Sequence, residues 1–250
     1  MPQPKVSIVT GANAGLGKEV TAGLMAEGHH VIMACRNLQK CRTRQRLKGR
    51  ALAVLVNNAG IMGAATSSST DDNHVRVNHM GPFLLTRLLL PFMGAGSRIV
   101  TVASRAHMQG SLHIADGRIQ GKPSFWYLQY ARSKLCNVLF TAELLRRLEA
   151  NHSPITAYSV SPGRVATNIY DNMPAWQRCF VKPLANWFFQ TPRQGAATVL
   201  YACLASELEG RNVLYLKDCK EAPASATARD ADLAKSLWQV SSQEVGMPED

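Results

Sequence analysis

Val6-Ser7-Ile8-Val9-Thr10-Gly11-Ala12-Asn13-Ala14-Gly15-Leu16-Gly17 holds the order strand, glycine turn, helix start. Val6 to Val9 read as a short buried strand, and a helix is expected from about Gly17 to Ala26. Glycines tolerate positive φ and carry no Cβ, so a phosphate can come close to the backbone between them. The helix start contributes unpaired N–H donors and the positive end of the helix dipole. Gly11, Asn13, Ala14, Gly15, Leu16 and Gly17 are therefore candidates for holding a dinucleotide. The spacing is G-x3-G-x-G rather than G-x-G-x-x-G, but the physics is shared.

Outward from this turn, short β-branched runs alternate with helical patterns. Further strands are expected at His30 to Ala34, Ala53 to Val56, Arg98 to Val102, Ile155 to Val160 and Asn212 to Leu216. Helical spacing fills Val75 to Leu90, Tyr130 to Glu149 and Thr191 to Ala205. Alternation of this kind predicts an α/β fold: a parallel sheet with helices on both faces. No internal repeat or long linker divides the 250 residues, so one domain over 1–250 is expected.

Composition narrows the class. The chain is 46% hydrophobic and 18% charged, ordinary for a globular domain with a large core. No apolar run approaches the roughly 18 residues a membrane span requires. The first strand begins near residue 6, leaving no room for a signal peptide, so a cytoplasmic setting is expected. Six cysteines without metal-like spacing suit reduced thiols, and seven histidines form no ligand pattern, so no metal is expected. Net charge is +11, concentrated in Arg36, Lys40, Arg42, Arg44, Arg46, Lys48 and Arg50. Aromatic residues for base stacking are not interleaved there and no nucleic-acid motif is present, which argues against a nucleic-acid partner. Alternate spacing spreads the charge around a helix. A solvated helix or a weak peripheral attraction to an anionic membrane surface is left.

Tyr130-Ala131-Arg132-Ser133-Lys134 is a candidate for the chemistry, beside the alternative that a helical Tyr and Lys four apart are only a packed ring and a solvated charge. Tyr130 and Lys134 share one helix face, and a neighbouring ammonium favours the phenolate, lowering a pKa of about 10 toward the range useful for proton transfer. Other candidates follow successive strands. They are Asn57-Asn58-Ala59-Gly60, Ser104, and Ser161-Pro162-Gly163-Arg164-Val165-Ala166-Thr167, with Asn78 in a helix between the first two. Ligands of open α/β sheets gather at these carboxyl ends.

The Gly11/Gly15/Gly17 turn, Asn57-Asn58-Ala59-Gly60, Ser104, Tyr130-x3-Lys134 and Pro162-Gly163 together resemble the pattern of the short-chain dehydrogenase/reductases over nearly the whole chain. The 26-residue gap from Ser104 to Tyr130, the run Tyr130 to Phe140 and Thr191-Pro192 are similar to the branch of retinol dehydrogenases and related dehydrogenase/reductases. The resemblance implies a single Rossmann-type, doubly wound parallel sheet. It also implies hydride transfer between a nicotinamide and an alcohol or carbonyl. In that scheme Tyr130 is the general acid or base, and Lys134 depresses its pKa and holds the nicotinamide ribose. Ser104 binds the substrate oxygen, Asn78 positions a relay water, and Thr167 holds the carboxamide. Cofactor contacts are expected from the glycine turn, Asn58, Ala59, Gly60, Tyr130, Lys134, Pro162, Gly163, Val165 and Thr167. Pairing as dimers or tetramers through the helices at Val75–Leu90 and Tyr130–Glu149 is implied as well.

Cofactor choice turns on Ala34-Cys35-Arg36-Asn37, where a guanidinium stands in place of a carboxylate. Arg36 favours the 2′-phosphate of NADP(H) over NAD(H). Only 20 residues separate Arg36 from Asn57, where relatives of full length carry another strand and helix. The outer edge strand is therefore expected to be missing, with the second strand as the new edge. A helix from about Leu38 to Lys48 is expected to lead across to the next strand, and weakened cofactor binding follows. Trp176, Phe180, Trp187, Phe188 and Phe189 sit in a lid-like segment at about 168–192, which points to an apolar alcohol or carbonyl substrate, reduction being favoured. Two readings stand: an NADP(H)-dependent oxidoreductase, or a shortened, catalytically impaired binding or regulatory protein on the same fold. The polar tail after Val240 is expected to fray.

Overall fold

A computed structural model describes residues 4–35, 50–63, 73–120, 125–163, 165 and 190–249. Nine strands are found among them: β1 Val6–Thr10, β2 His30–Ala34, β3 Leu52–Asn57, β4 Met93–Val102, β5 His113–Ala115, β6 Arg118–Gln120, β7 Thr156–Ser161, β8 Tyr215–Lys217 and β9 Lys220–Glu221. The main sheet has the order β2-β1-β3-β4-β7-β8-β9, parallel except for the β8–β9 pair. Among the described residues β2 forms one edge; the expected absence of an outer strand falls on 36–49, outside the described residues. The helix expected at Leu38 to Lys48 lies outside the described residues.

Period-two alternation along the strands feeds two cores. Val9, Val54, Val56, Val100, Val102, Tyr158 and Val160 face α1 (Gly15–Ala26) and α5 (Pro192–Leu204), contributing to one cluster with Val20, Leu24, Val199 and Ala202. Val6, Ile8, Leu52, Leu55, Ile99 and Ala157 face the other way, toward Phe83, Phe140, Leu144 and Trp238. That face carries α3 (Gly81–Leu89), α4 (Trp126–Ala150) and α6 (Ala231–Glu244). A sheet buried on both faces is what near-continuous Val/Ile/Leu strands require. No helix among the described residues is long and apolar enough to cross a membrane.

Several details depart from the sequence reading. The helix expected over Val75 to Leu90 is three pieces: one turn (α2, Asn73–Val75), a π-turn over Arg76–Met80, and α3. The strand expected at Asn212–Leu216 begins only at Tyr215, where pairing with Ser159 starts. The tail does not fray at Val240: α6 runs to Glu244, and Arg87 and Arg147 donate to the carbonyls of Pro248 and Glu249. The long gap before Tyr130 contains a β5–β6 hairpin turning at Asp116 and Gly117, both at positive φ (51° and 67°), the primed-turn geometry that Asp-Gly favours. Of the cysteines expected as reduced thiols, Cys136 and Cys203 are buried and outside any disulfide, Cys219 is exposed and outside any disulfide, and Cys35 is disulfide-bonded.

Candidate active site

The glycine turn is locked to the sheet by Thr10. Its hydroxyl accepts from the N–H groups of Asn58 and Ala59, both at 2.9 Å, and donates to Val56 O at 3.3 Å. The Asn58 amide donates to Thr10 O at 2.8 Å, so this side chain clips β1 to β3. Gly11 sits at φ 65° and its N–H reaches Ala34 O on β2 at 2.8 Å. A Cβ on Gly17 would lie 2.3 Å from Gly11 O, so the helix start rests directly on the turn and only glycine fits. Ala14 caps α1 with extended backbone and no side-chain hydrogen bond, so no side chain of the cap competes for the first-turn N–H donors. Bare backbone, a Cβ-free cradle and an uncapped helix start fit the pyrophosphate of a dinucleotide.

At the carboxyl ends of β3 and β4 the polar candidates meet. Lys134 is 3% exposed, and its ammonium donates to Val102 O at 2.9 Å, using one of three hydrogens. Burial lowers its pKa from 10.5 to about 8. The ammonium lies 5.6 Å from the Tyr130 ring centroid, and Tyr130 is itself buried. A Cβ on Gly60 would sit 3.1 Å from Asn78 Oδ1 and 3.7 Å from Lys134 Nζ, so both groups line the same stretch of backbone. Asn78 lies in the π-turn. Its Oδ1 accepts from Ile61 N at 2.7 Å, and its Nδ2 donates to Ile61 O at 3.0 Å and to Ser133 Oγ at 2.9 Å. Both amide hydrogens are committed, which leaves a lone pair of Oδ1 for a water. Ser133 relays the tie by donating to Tyr130 O at 2.7 Å.

Ser104 follows β4 and caps a 3-10 turn over Arg105–Gln109. Its Oγ accepts from Ala106 N at 3.2 Å, which leaves the hydroxyl hydrogen to be donated outward. Beyond β7, Pro162 and Gly163 (φ 86°) follow Ser161, and Val165 bridges to Gln190. Gly163 and Gln190 are tightly apposed: a Cβ there would lie 2.4 Å from Gln190 Oε1. The structure thus brings together Gly60, Asn78, Tyr130 and Lys134, and sets the glycine turn against Asn58 and Ala59. Arg36, Thr167 and the lid at 168–189 lie outside the described residues. Thr10 and Ser133 were missed from sequence. Thr10 ends a strand like any β-branched residue, and Ser133 shows only as one letter inside the Tyr130–Lys134 run.

Residues 42–178 match the family model for short chain dehydrogenase. The chain belongs to the short-chain dehydrogenase family. This short-chain dehydrogenase lies in the branch of retinol dehydrogenases. It is 37% identical to human retinol dehydrogenase 11, over 98% of this chain and 87% of that protein. It is likewise 37% identical to mouse polyprenol dehydrogenase, over 95% of this chain and 83% of that one. The alignment to the human protein runs over 285 positions while drawing on 98% of a 250-residue chain, so about 40 positions of the relative have no counterpart here. Among solved structures, an uncharacterized protein from Mycobacterium paratuberculosis is 31% identical with a TM-score of 0.74, covering 98% of this chain and 95% of that one. The fold alone is shared with a Brucella melitensis 3-ketoacyl-(acyl-carrier-protein) reductase complexed with NADH (19% identity, TM-score 0.60, 86% of this chain and 96% of that one). It is shared too with the angucycline C-6 ketoreductase LanV with bound NADP (21% identity, TM-score 0.60, 85% and 93%). A nicotinamide cofactor fits this family and this site.

Proposed function

We propose that this short-chain dehydrogenase transfers hydride between NADP(H) and an apolar alcohol or carbonyl, with reduction the favoured direction. The carrying observation is Lys134: a buried ammonium, anchored to the end of β4 and set beside Tyr130, with hydrogens left to donate. Bound nicotinamide supplies the hydride. Tyr130 gives its phenolic proton to the carbonyl oxygen in reduction and takes it back in oxidation. Lys134, charged below about pH 8, holds the phenolate form down in energy and offers hydrogens to the nicotinamide ribose. Ser104 donates its hydroxyl hydrogen to the same substrate oxygen. Asn78 holds a water through its remaining Oδ1 lone pair, on the route by which Tyr130 is reprotonated. Gly11, Asn13, Ala14, Gly15, Leu16 and Gly17 hold the pyrophosphate. Ala59, Gly60, Pro162, Gly163 and Val165 frame the nicotinamide half, Thr167 holds the carboxamide, and Arg36 takes the 2′-phosphate. The apolar substrate class is supported by relatives named for retinol and polyprenol and by the aromatic residues between Tyr170 and Gln190.

The test is turnover of a panel of long-chain and retinoid aldehydes with NADPH against NADH, beside Tyr130→Phe. NADPH-dependent reduction that disappears in Tyr130→Phe while NADPH binding persists is expected; turnover surviving the substitution sinks the assignment. The shortened segment after Arg36 supports a second reading, a binding protein impaired in catalysis. A fluorescence titration separates the two, since that reading expects no NADPH binding and no turnover.

A further inference from the structure

The geometry points to His107 as a positioning residue that holds the Ser104 turn in the orientation needed to reach the substrate oxygen. The inference rests on the role proposed for Ser104. His107 is fully buried, two residues into the 3-10 turn that Ser104 caps. Its Nδ1 lies 2.8 Å from Ser104 O, and its Nε2 lies 3.2 Å from the backbone N of Ser225. A carbonyl can only accept and an amide N–H can only donate. Both contacts are therefore satisfied by one tautomer, with hydrogen on Nδ1 and a lone pair on Nε2. The ring also packs on Tyr215 of β8, with centroids 4.7 Å apart.

These bonds matter because a 3-10 turn of five residues is weakly held by its own hydrogen bonds. On one side of Ser104, Ala103 N is fixed to Val160 O at 2.8 Å. On the other side, the peptide after Ser104 is held by His107, whose backbone N (3.1 Å) and Nδ1 both donate to Ser104 O. Through Nε2 the same ring anchors the turn to Ser225, a residue from the segment leading into α6, more than a hundred positions away. The Ser104 hydroxyl thus stands between two clamps, and only one of them is a side chain. Misplacing a catalytic hydroxyl by about 1 Å costs on the order of 100-fold in rate.

Three variants divide the two bonds. The Asn amide nitrogen can overlay Nδ1, so His107→Asn keeps the donor to Ser104 O and loses Ser225. The Gln carbonyl can reach the Nε2 position, so His107→Gln keeps the acceptor for Ser225 and loses Ser104. His107→Leu loses both. With NADPH and the best aldehyde, His107→Gln and His107→Leu are expected to lower kcat by about 10- to 100-fold with NADPH affinity unchanged, while His107→Asn stays within about threefold of wild type. Wild-type kcat in His107→Gln, or loss in His107→Asn equal to that in His107→Leu, overturns the proposal. A readout independent of turnover accompanies it: two-bond 1H–15N spectra of imidazole-labelled protein, the His107 signal assigned by its absence in His107→Asn. Burial lowers the pKa of His107, against a smaller upward pull from the Ser104 carbonyl; Arg105 and Asp218 act on the Tyr215 it packs against, but neither is among the groups that shift His107 itself. A neutral Nδ1–H ring is expected at pH 6.5, where an ordinary histidine is half protonated. An Nε2–H tautomer or a charged ring there overturns the geometry even if no substrate is ever turned over, whereas absent turnover with the expected tautomer counts against the oxidoreductase reading alone.

Discussion

Burying Lys134 carries a stability penalty whose pH dependence can be worked out. Burial lowers its pKa from 10.5 to about 8. Below about pH 8 both folded and unfolded chains hold the proton, so the full cost of a buried ammonium is present. Between pH 8 and 10.5 the unfolded chain binds more protons than the folded one, so stability rises with pH across that window. The shift corresponds to roughly 3 kcal/mol. Removing the ammonium loses its bond to Val102 O, worth about 1 kcal/mol, but Asn137 Nδ2 also donates to that carbonyl at 3.3 Å. Lys134→Met should therefore be about 2 kcal/mol more stable than wild type at pH 7 and lose that advantage near pH 10, while losing turnover. Urea unfolding at the two pH values measures this, and equal or lower stability at pH 7 would refute it. A functional group that weakens its own fold is the expected trade in an active site. The Tyr130–Lys134 pair was legible in the sequence because it is local, one helical turn on a single helix. Thr10, Ser133 and His107 were not, because each acts through a partner on another segment: Asn58 and Ala59, Asn78, and Ser225.

At the scale of elements, β1, its turn and α1 form one unit in which three glycines do different jobs. Gly11 supplies a positive φ and Gly17 supplies closeness, since a Cβ there would meet Gly11 O at 2.3 Å and Asn58 Nδ2 at 2.5 Å. Gly17→Ala must push the helix start off the turn, at a cost of about 1–3 kcal/mol, and displace the first-turn N–H donors proposed to hold the pyrophosphate. At least tenfold weaker NADPH binding is expected in a fluorescence titration. Gly94→Ala is the control: it lies in β4 with nothing within 4 Å of an added Cβ, and should gain up to about 1 kcal/mol with binding unchanged. Strand-turn-helix order could be read because each element has its own period and punctuation. The break of the helix into a π-turn at Arg76–Met80 could not, since apolar spacing hardly separates a π-turn from the α-turns flanking it. The Asp116-Gly117 hairpin did carry a signal, but its strands are only three residues each, too short for alternation to stand out.

For the molecule as a whole, the C-terminus closes the face opposite α1. Trp238 is 3% exposed, packs against Phe83 and Phe140, and lies under the guanidinium groups of Arg87 (5.0 Å) and Arg147 (4.4 Å). The helix expected to pair copies of the chain, Tyr130–Glu149, is buried without interruption from Tyr130 to Thr141, in part beneath the chain's own α6. Trp238→Ala should remove about 3–5 kcal/mol, measured by urea unfolding; a loss under 1 kcal/mol would mean that face is not packed as described. Beyond α6 the chain is held by backbone carbonyls: Pro248 O accepts from Arg87 at 2.8 Å, and Glu249 O accepts from Trp238 Nε1 at 3.2 Å and from Arg147. Carbonyls have no side-chain signature, so a polar stretch ending in Pro248-Glu249-Asp250 reads as a loose end although distant arginines grip it. Ending the chain at Gly246 removes two carbonyl acceptors and with them three hydrogen bonds from the arginines and the tryptophan, worth about 1–2 kcal/mol together once water replaces them. For a chain of 250 residues that corresponds to a fall in Tm of about 2–6 °C, with the two-faced sheet intact by circular dichroism. An unchanged Tm would mean those carbonyls are not gripped in solution.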